Sequence, residues 1–337
     1  MSGWYKNSAP LDEIVVSSRI RFARNLSDLP FPRKMNDSQL TELKDMVKRS
    51  VSKLNVRDFG NLKFIEMDDV PENEVKAMVE RHVISPNFAA NCSKRAIVIS
   101  EDESISIMIG EEDHLRIQVT CGGMSLDKAY EIADKLDSKL CEYLNFAYDS
   151  EWGFLTECPT NIGTGLRASV MLHLPIIEAK GSISEIAEAV SKIGLTVRGI
   201  YGEGTKALCA LYQISNQITL GINEQSAVDN LRIITEQIIE KEKKLREGLN
   251  SLELEDLVFR AYGILTNARL ISSEEFMDLI SKIKLGAGMG ILNMENMKPI
   301  EMLIESQPFM IQRKYGSLSP IERDEKRAKD IREIILN

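Results

Sequence analysis

The sequence predicts an α+β chain, with a central antiparallel β-sheet flanked by helices and a small all-α domain following it. Three observations carry this. Short β-like runs at 96–100, 104–110 and 115–120 follow one another closely enough for an antiparallel meander. Stretches at 38–54, 125–146 and 224–248 repeat apolar residues at helical spacing. Beyond about residue 250 the pattern is helical throughout, at 253–268, 273–285, 297–306 and 320–335, with Gly, Asn and Pro breaks between. The expected division is therefore 1–250 and 251–337, with the second part a helical bundle suited to self-association.

Taken in order, residues 15–25 form a strand running into a polar turn. Its alternation puts Arg19 and Arg21 on one face and Ile20 and Phe22 on the other. Two guanidinium groups on one face repel unless an anion lies between them, or the strand is a solvated edge. The helix at 38–54 gathers Leu40, Leu43, Met46, Val47, Val51 and Leu54 on one stripe, with Ser38 as N-cap and Glu42 near its first turn. A second helix covers 71–84 and ends near His82. Between the second and third β-runs, Glu111, Glu112 and Asp113 stand side by side, either as a solvated acidic turn or as a cation-binding group.

The helix at 125–146 turns Leu126, Ala129, Ile132, Ala133, Leu136, Leu140 and Leu144 inward. A strand at 153–156 then delivers Cys158. A helix at 182–193 precedes the glycine-containing segment 195–205. That segment is not a P-loop, because Thr205 precedes Lys206 and GxxxxGK[ST] is not met. The chain then continues as a strand over 206–215 and as the long helix 224–248.

Composition sets limits. The chain has 337 residues, 43% hydrophobic and 28% charged, which suits a globular protein with room for two domains. A net charge of −9 leaves no basic excess for general nucleic-acid binding. The five cysteines are scattered without a CxxC pair, as in a reducing cytoplasm, and the three histidines have no zinc-type spacing. No signal-peptide pattern opens the chain, and no apolar run nears the ~20 residues that span a bilayer. A cytoplasmic protein is expected, with neither membrane nor nucleic acid as partner and no resident metal site.

The most informative stretch is Cys158-Pro159-Thr160-Asn161-Ile162-Gly163-Thr164-Gly165-Leu166-Arg167. It joins a thiol, two glycines that let a backbone approach a ligand, and a guanidinium fork suited to phosphate or carboxylate. This stretch closely resembles the signature of the guanidino-kinase (phosphagen-kinase) family. Ser17-Ser18-Arg19-Ile20-Arg21-Phe22-Ala23-Arg24 is similar to the family's Ser-Ser-Arg-x-Arg-x-x-Arg motif. Gly110-Glu111-Glu112-Asp113-His114-Leu115-Arg116 is similar to its Asn-Glu-Glu-Asp-His-x-Arg, departing only at Gly110.

The resemblance implies that ATP phosphates lie against Ser18, Arg19, Arg21, Arg116, Arg167 and Arg198, with His82 near the base and Mg²⁺ accompanying the nucleotide. Arg24 is open between a third phosphate contact and a structural role. Met171 stands where creatine-type members carry a base-stacking His, as a softer wall. Glu112 and Glu203 are implied to grip the guanidinium, with Glu112 as base, Cys158 aligning it, and Glu111 serving Mg²⁺ or local order. The segment around Arg198 and Glu203 resembles the family's mobile loop, whose glycines allow closure over the site.

Small-metabolite members carry a helical domain ahead of the first arginine motif. Here the motif begins at Ser17, so the site is expected to be open on that side, as a protein-borne arginine requires. The hexamer from Arg323 to Ala328 is either a charged helix face or a phosphoarginine pocket. The second reading rests on the Arg-Asp-x-x-Arg-Ala element of the bacterial members that phosphorylate proteins, and uses Arg323, Asp324, Arg327 and Ala328. The resemblance implies ATP-dependent phosphorylation of arginine side chains in proteins, marking them for regulated proteolysis under stress. It also implies a homodimer or higher oligomer, a zinc-binding activator and an unfoldase–protease. The competing readings are a free-arginine kinase and a phosphoarginine-binding adaptor without catalysis.

Overall fold

The computed structural model describes residues 3–6, 8–200, 207–293 and 298–336. The chain opens with β1 (Val15–Arg24), α1 (Asp37–Val51), α2 (Val56–Phe59), β2 (Leu62–Glu66), α3 (Glu72–Glu80) and α4 (Pro86–Ala90). The meander β3 (Ala96–Ser100), β4 (Ile105–Ile109) and β5 (Leu115–Gly122) follows, then α5 (Leu126–Cys141). Next come the hairpin β6 (Tyr148–Asp149) and β7 (Gly153–Phe154), β8 (Leu166–His173), α6 (Pro175–Ala179) and α7 (Ile183–Ser191). Strands β9 (Leu195–Gly199) and β10 (Leu211–Asn216) lead into α8 (Glu224–Glu247). The remainder is helical: α9 (Ser251–Asn267), α10 (Ser273–Gly288), α11 (Pro299–Glu305), α12 (Pro308–Tyr315) and α13 (Pro320–Leu336).

One eight-stranded sheet organises the chain, in the order β2-β3-β4-β5-β1-β8-β10-β9, with antiparallel neighbours throughout. This is the expected α+β architecture. Because side chains alternate along a strand, each strand gives one set to each face. Ile20, Phe22, Ile117, Val119, Ala168, Val170, Val197 and Ile214 share one face and join residues of α1, α5, α7 and α8 in the main core. The other face carries Arg19 and Arg21 of β1, Arg116, Gln118 and Thr120 of β5, Arg167 and Ser169 of β8, and Gln213 and Ser215 of β10. Towards one end that face becomes apolar: Met171 and Leu211 pack in a second cluster with Ala261, Phe276, Ile280 and Ala328 of the C-terminal helices. These helices cover one end of the face and leave the arginine-bearing end open. Met171 is therefore core, not a wall for a nucleotide base.

Several local expectations are corrected. Helix α1 starts one residue earlier than expected, because Asn36 and Gln39 form a reciprocal capping box, making Asn36 rather than Ser38 the N-cap. Residues 195–199, expected within a loop, pair with β10 as a full edge strand. The strand expected over 206–215 begins only at Leu211, because Cys209 and Ala210 take left-handed backbone angles (φ 59° and 49°). Helix α12 was not foreseen. It spans eight residues, too few for a periodic signal, and its first amides are capped from far away. Glu80 at the end of α3 accepts hydrogen bonds from Phe309 N and Met310 N, both at 2.9 Å.

That cap predicts a pH dependence. Burial pushes the Glu80 carboxyl from its ordinary 4.5 up to about 7, despite the two amides and the nearby charges of Arg327 and Arg81. The folded state therefore holds a proton that the unfolded chain has lost. Its contribution is fully present below about 4.5 and is lost as pH rises through about 7. Urea unfolding at pH 5 and pH 8 is expected to show lower stability at pH 8, and Glu80→Gln is expected to flatten that difference. An unchanged slope in the variant would remove Glu80 from the account.

Candidate active site

The open end of the polar sheet face is a cleft of about 310 Å³ lined by Arg21, Arg116, Arg167 and Arg198 together with Glu111, Glu112 and Cys158. The strand register explains the crowding of cations. Arg21 lies directly opposite Arg167 across the β1–β8 pair, and its other neighbour is Gln118 of β5. Like charges directly opposite one another destabilise a sheet unless something between them compensates. Arg21 shows the strain. Burial first, then the charges of Arg19, Arg116 and Arg167, hold its guanidinium well below the usual range. Its Nε is buried without a hydrogen-bond partner, as is the hydroxyl of Thr120 on the same face. Arg167 is lowered likewise, by burial and then by Arg198 and Arg116. Such a cluster of donors fits a polyanion.

The acidic turn between β4 and β5 divides its labour. Glu111 is buried, accepts from Arg116 Nη1 at 2.8 Å and is hydrogen-bonded by Ser85 Oγ, so it orders a cation. Asp113 is buried too, accepting from Asn25 Nδ2 at 2.7 Å and from Glu157 N at 2.8 Å. It thereby ties the turn to the segment entering Cys158. Burial pushes its carboxyl up. His114 receives Leu26 N on Nδ1 and lies 2.9 Å from Pro30 O through Nε2, so the neutral ring carries its proton on Nε2. Burial lowers its pKa, in keeping with that neutral state. Glu112 alone of the three carboxylates is exposed to the cleft.

The Cys158 loop is held from below. Cys158 Sγ lies 3.0 Å from Thr160 Oγ1, and Thr219 Oγ1 donates to Ile162 O at 2.8 Å. The two glycines were expected to admit a ligand; Gly165 does line the cleft, and both also admit the protein's own backbone. A Cβ on Gly163 would fall 2.2 Å from Thr219 O, and one on Gly165 would fall 2.6 Å from Ala23 O. Their φ angles, 108° and 62°, are left-handed as well. Arg24 is structural: fully buried, it makes bonds of 3.0 and 2.8 Å to Asp137, donates to Thr164 O at 2.9 Å, and lies 3.5 Å from the Phe154 ring centroid.

The other expected site residues fall outside this cleft or partly so. Arg19 stands beside it on the same face, bonded at 2.7 Å to Gln213, which does line it. Ser18 lies on the opposite face of β1. Its hydroxyl donates to Gly123 O and accepts from Ser125 N, so both its roles are already taken. His82 has a left-handed φ of 60°, packs 6.4 Å from Trp4 and is lowered to about 4 by burial, then by Arg19. It does not line the cleft. Glu203 lies outside the described residues. Arg327 is buried and donates to Ser306 O, Ile271 O, Asp324 and Ser273 Oγ, while Ala328 is core. Four of the five N–H donors of Arg327 thus bind this chain, making it a staple between helices rather than an open phosphate ligand. Arg323 is half-exposed beside it.

Sequence reasoning missed Gln118, Gln213, Ser169 and Ser215, which fill the polar face between the arginines. Their signal was present: polar residues at i and i+2 in strands whose alternate positions are apolar.

A cleft that gathers guanidinium groups, an exposed carboxylate and a thiol defines a phosphotransferase acting on a cationic acceptor. The comparisons agree. The family described as ATP:guanido phosphotransferase, C-terminal catalytic domain, matches residues 42–245. The protein-arginine kinase McsB C-terminal domain matches residues 251–337. A protein-arginine kinase of Brevibacillus brevis is 44% identical over 98% of this chain and 94% of its own length. One from Moorella thermoacetica is 43% identical over 99% and 97%. Among solved structures, a lombricine kinase superposes with a TM-score of 0.63 at 23% identity, covering 71% of this chain and 69% of that one. A duplicated taurocyamine kinase from Schistosoma mansoni gives 0.64 at 23% identity over 82% and 41%. The chain belongs to the ATP:guanido phosphotransferase family. Within that family it groups with the protein-arginine kinases.

Removing one of the facing charges is expected to separate stability from binding. Arg21→Met should raise the stability of the ligand-free protein by roughly 0.5–1 kcal/mol, the worth of a like-charge cross-strand pair. It should also abolish the rise in Tm that ATP produces in the parent protein. Thermal unfolding with and without nucleotide checks both; an ATP response that survives would take Arg21 out of the binding site.

Proposed function

We propose that this chain transfers the γ-phosphoryl group of ATP to the guanidinium of arginine side chains in proteins. The observation that carries the proposal is the convergence of Arg21, Arg116, Arg167 and Arg198 with exposed Glu112 and Cys158 in one cleft. The names of the relatives, at 43–44% identity across nearly the whole chain, favour arginine in proteins as the acceptor.

In this reading ATP is a substrate whose phosphates lie against the arginines, with Arg19 supporting through Gln213. A magnesium ion accompanying the nucleotide would neutralise charge on the transferring group. The protein's own part is orientation and charge. The acceptor guanidinium sits between Glu112 and Cys158, with Glu203 proposed as a second carboxylate. A guanidinium nitrogen bonds to the γ-phosphorus as the bond from that phosphorus to the bridging oxygen breaks. The proton released from the nitrogen passes to Glu112, and ADP leaves with the bridging oxygen. Arg116, fixed by Glu111, and Arg167 stabilise the charge that spreads over the phosphoryl oxygens. In-line alignment of the reactants by this rigid cleft supplies much of the barrier lowering.

The test offers Mg-ATP with an unfolded arginine-rich protein and with free arginine in parallel. Acid-labile phosphate confined to arginine of the protein is the expected product. Phosphate on free arginine alone would move the activity to a small-metabolite kinase. Glu112→Gln is expected to lower kcat by about 10²-fold or more, the usual worth of a positioned base, while ATP binding stays intact. Near-normal turnover in that variant would give the base to another group.

A further inference from the structure

Behind the Cys158 loop lies a second, larger concavity of about 790 Å³. The loop separates the two: Thr160, Asn161 and Gly165 face the cleft, whereas Gly163 and Thr164 face this groove. We propose that the groove seats an extended, cationic polypeptide segment, namely the chain flanking the arginine that enters the cleft. This rests on the reading of the cleft as an arginine site and adds the features of the protein that such a site selects.

The argument begins with exposure. Trp152 is 49% exposed, Tyr148 63% and Leu220 45%, an aromatic and apolar rim that a single folded chain ordinarily buries. The rim is also pre-ordered. Asp149 Oδ1 accepts from Glu151 N at 2.8 Å and Trp152 N at 3.0 Å, fixing the hairpin turn that presents the indole. Tyr148 packs edge-on against Phe154, with ring centroids 5.2 Å apart. Rigid aromatic rings of this kind are the usual anchors of binding surfaces.

Charge selects the occupant. Among the described residues lining the groove, Glu151 and Glu224 are acidic and none is Lys or Arg. Glu224 is shared with Arg24 and Tyr130, so the exposed Glu151 carries the free negative charge. The chain as a whole stands at −9. Lysine or arginine beside the target residue fits both features, laying its alkyl stem along the rings and its cation over the indole face or near Glu151. The groove begins at the other side of the loop that carries Cys158, so a chain whose arginine enters the cleft can continue into it.

The experiment uses the full chain with Mg-ATP and three acceptors: a peptide whose single arginine is flanked by lysines, the same peptide with flanking glutamates, and N-acetylarginine amide. The lysine peptide is expected to have a KM about tenfold below that of the glutamate peptide. Trp152→Ala should raise the lysine-peptide KM about tenfold, the scale of an aromatic anchor, and leave the KM for ATP and turnover of the amide unchanged. Glu151→Lys should erase the preference between the peptides. Of the two tryptophans Trp4 is buried, so the lysine peptide should also shift emission from Trp152, and Trp152→Ala should lose that shift.

An unchanged lysine-peptide KM in Trp152→Ala overturns the proposal. So does a KM change accompanied by a new mass in light scattering, which would assign the groove to a second copy of this chain. No phosphorylation of any acceptor, with the emission shift intact, would leave the groove standing and remove the kinase reading. Loss of both signals would sink the two together.

Discussion

The structure turns on the repulsion between Arg21 and Arg167, placed face to face by the register of β1 and β8. Nothing in an ordinary sheet favours two half-buried cations in that arrangement. Folding places them there because the opposite face of the same strands is largely apolar and fixes the pairing. A one-residue slip would send Ile20, Phe22, Ala168 and Val170 into the polar cleft. Register is thus secured by the core, and the strain it imposes appears on the other side as guanidinium groups held face to face.

Around this pair the remaining polar groups serve as scaffolding, each with a distinct charge balance. Glu111 neutralises Arg116 and holds it still. Asp113 and His114 tie the acidic turn to the chain segments on either side of it, leaving Glu112 the one carboxylate of the turn exposed to solvent. Arg24 reaches under the Cys158 loop and joins α5 to it through Asp137 and the Thr164 carbonyl. Buried charges of this kind contribute little net stability but make one geometry far cheaper than its alternatives.

The sheet, its flanking helices and the helical tail were legible because periodicity reports burial, and burial here is regular. The arginine strand and the acidic turn were legible through their family motifs. What the sequence hid is tertiary. Ser18 sits beside Arg19 in the motif, yet the pleat sends it to the other face and into a backbone turn. Gly163 looks like a ligand-facing glycine, but it faces away from the cleft and its close partner is the backbone at Thr219. Arg327 looks available on a charged helix, but carbonyls from two other segments consume it. Helix α12 depends on a carboxylate more than two hundred positions away in sequence, which no window of local pattern includes.

The sheet face that bears the arginines at one end bears Met171, Leu211 and His173 at the other, and His173 bonds to Ser281 of α10 at 2.8 Å. The catalytic sheet and the C-terminal helices are therefore not modules joined by a hinge; they share a floor. Severing the chain near residue 250 would uncover part of that floor and leave Met171 and Leu211 facing water, a cost that falls on the catalytic sheet rather than on the tail alone.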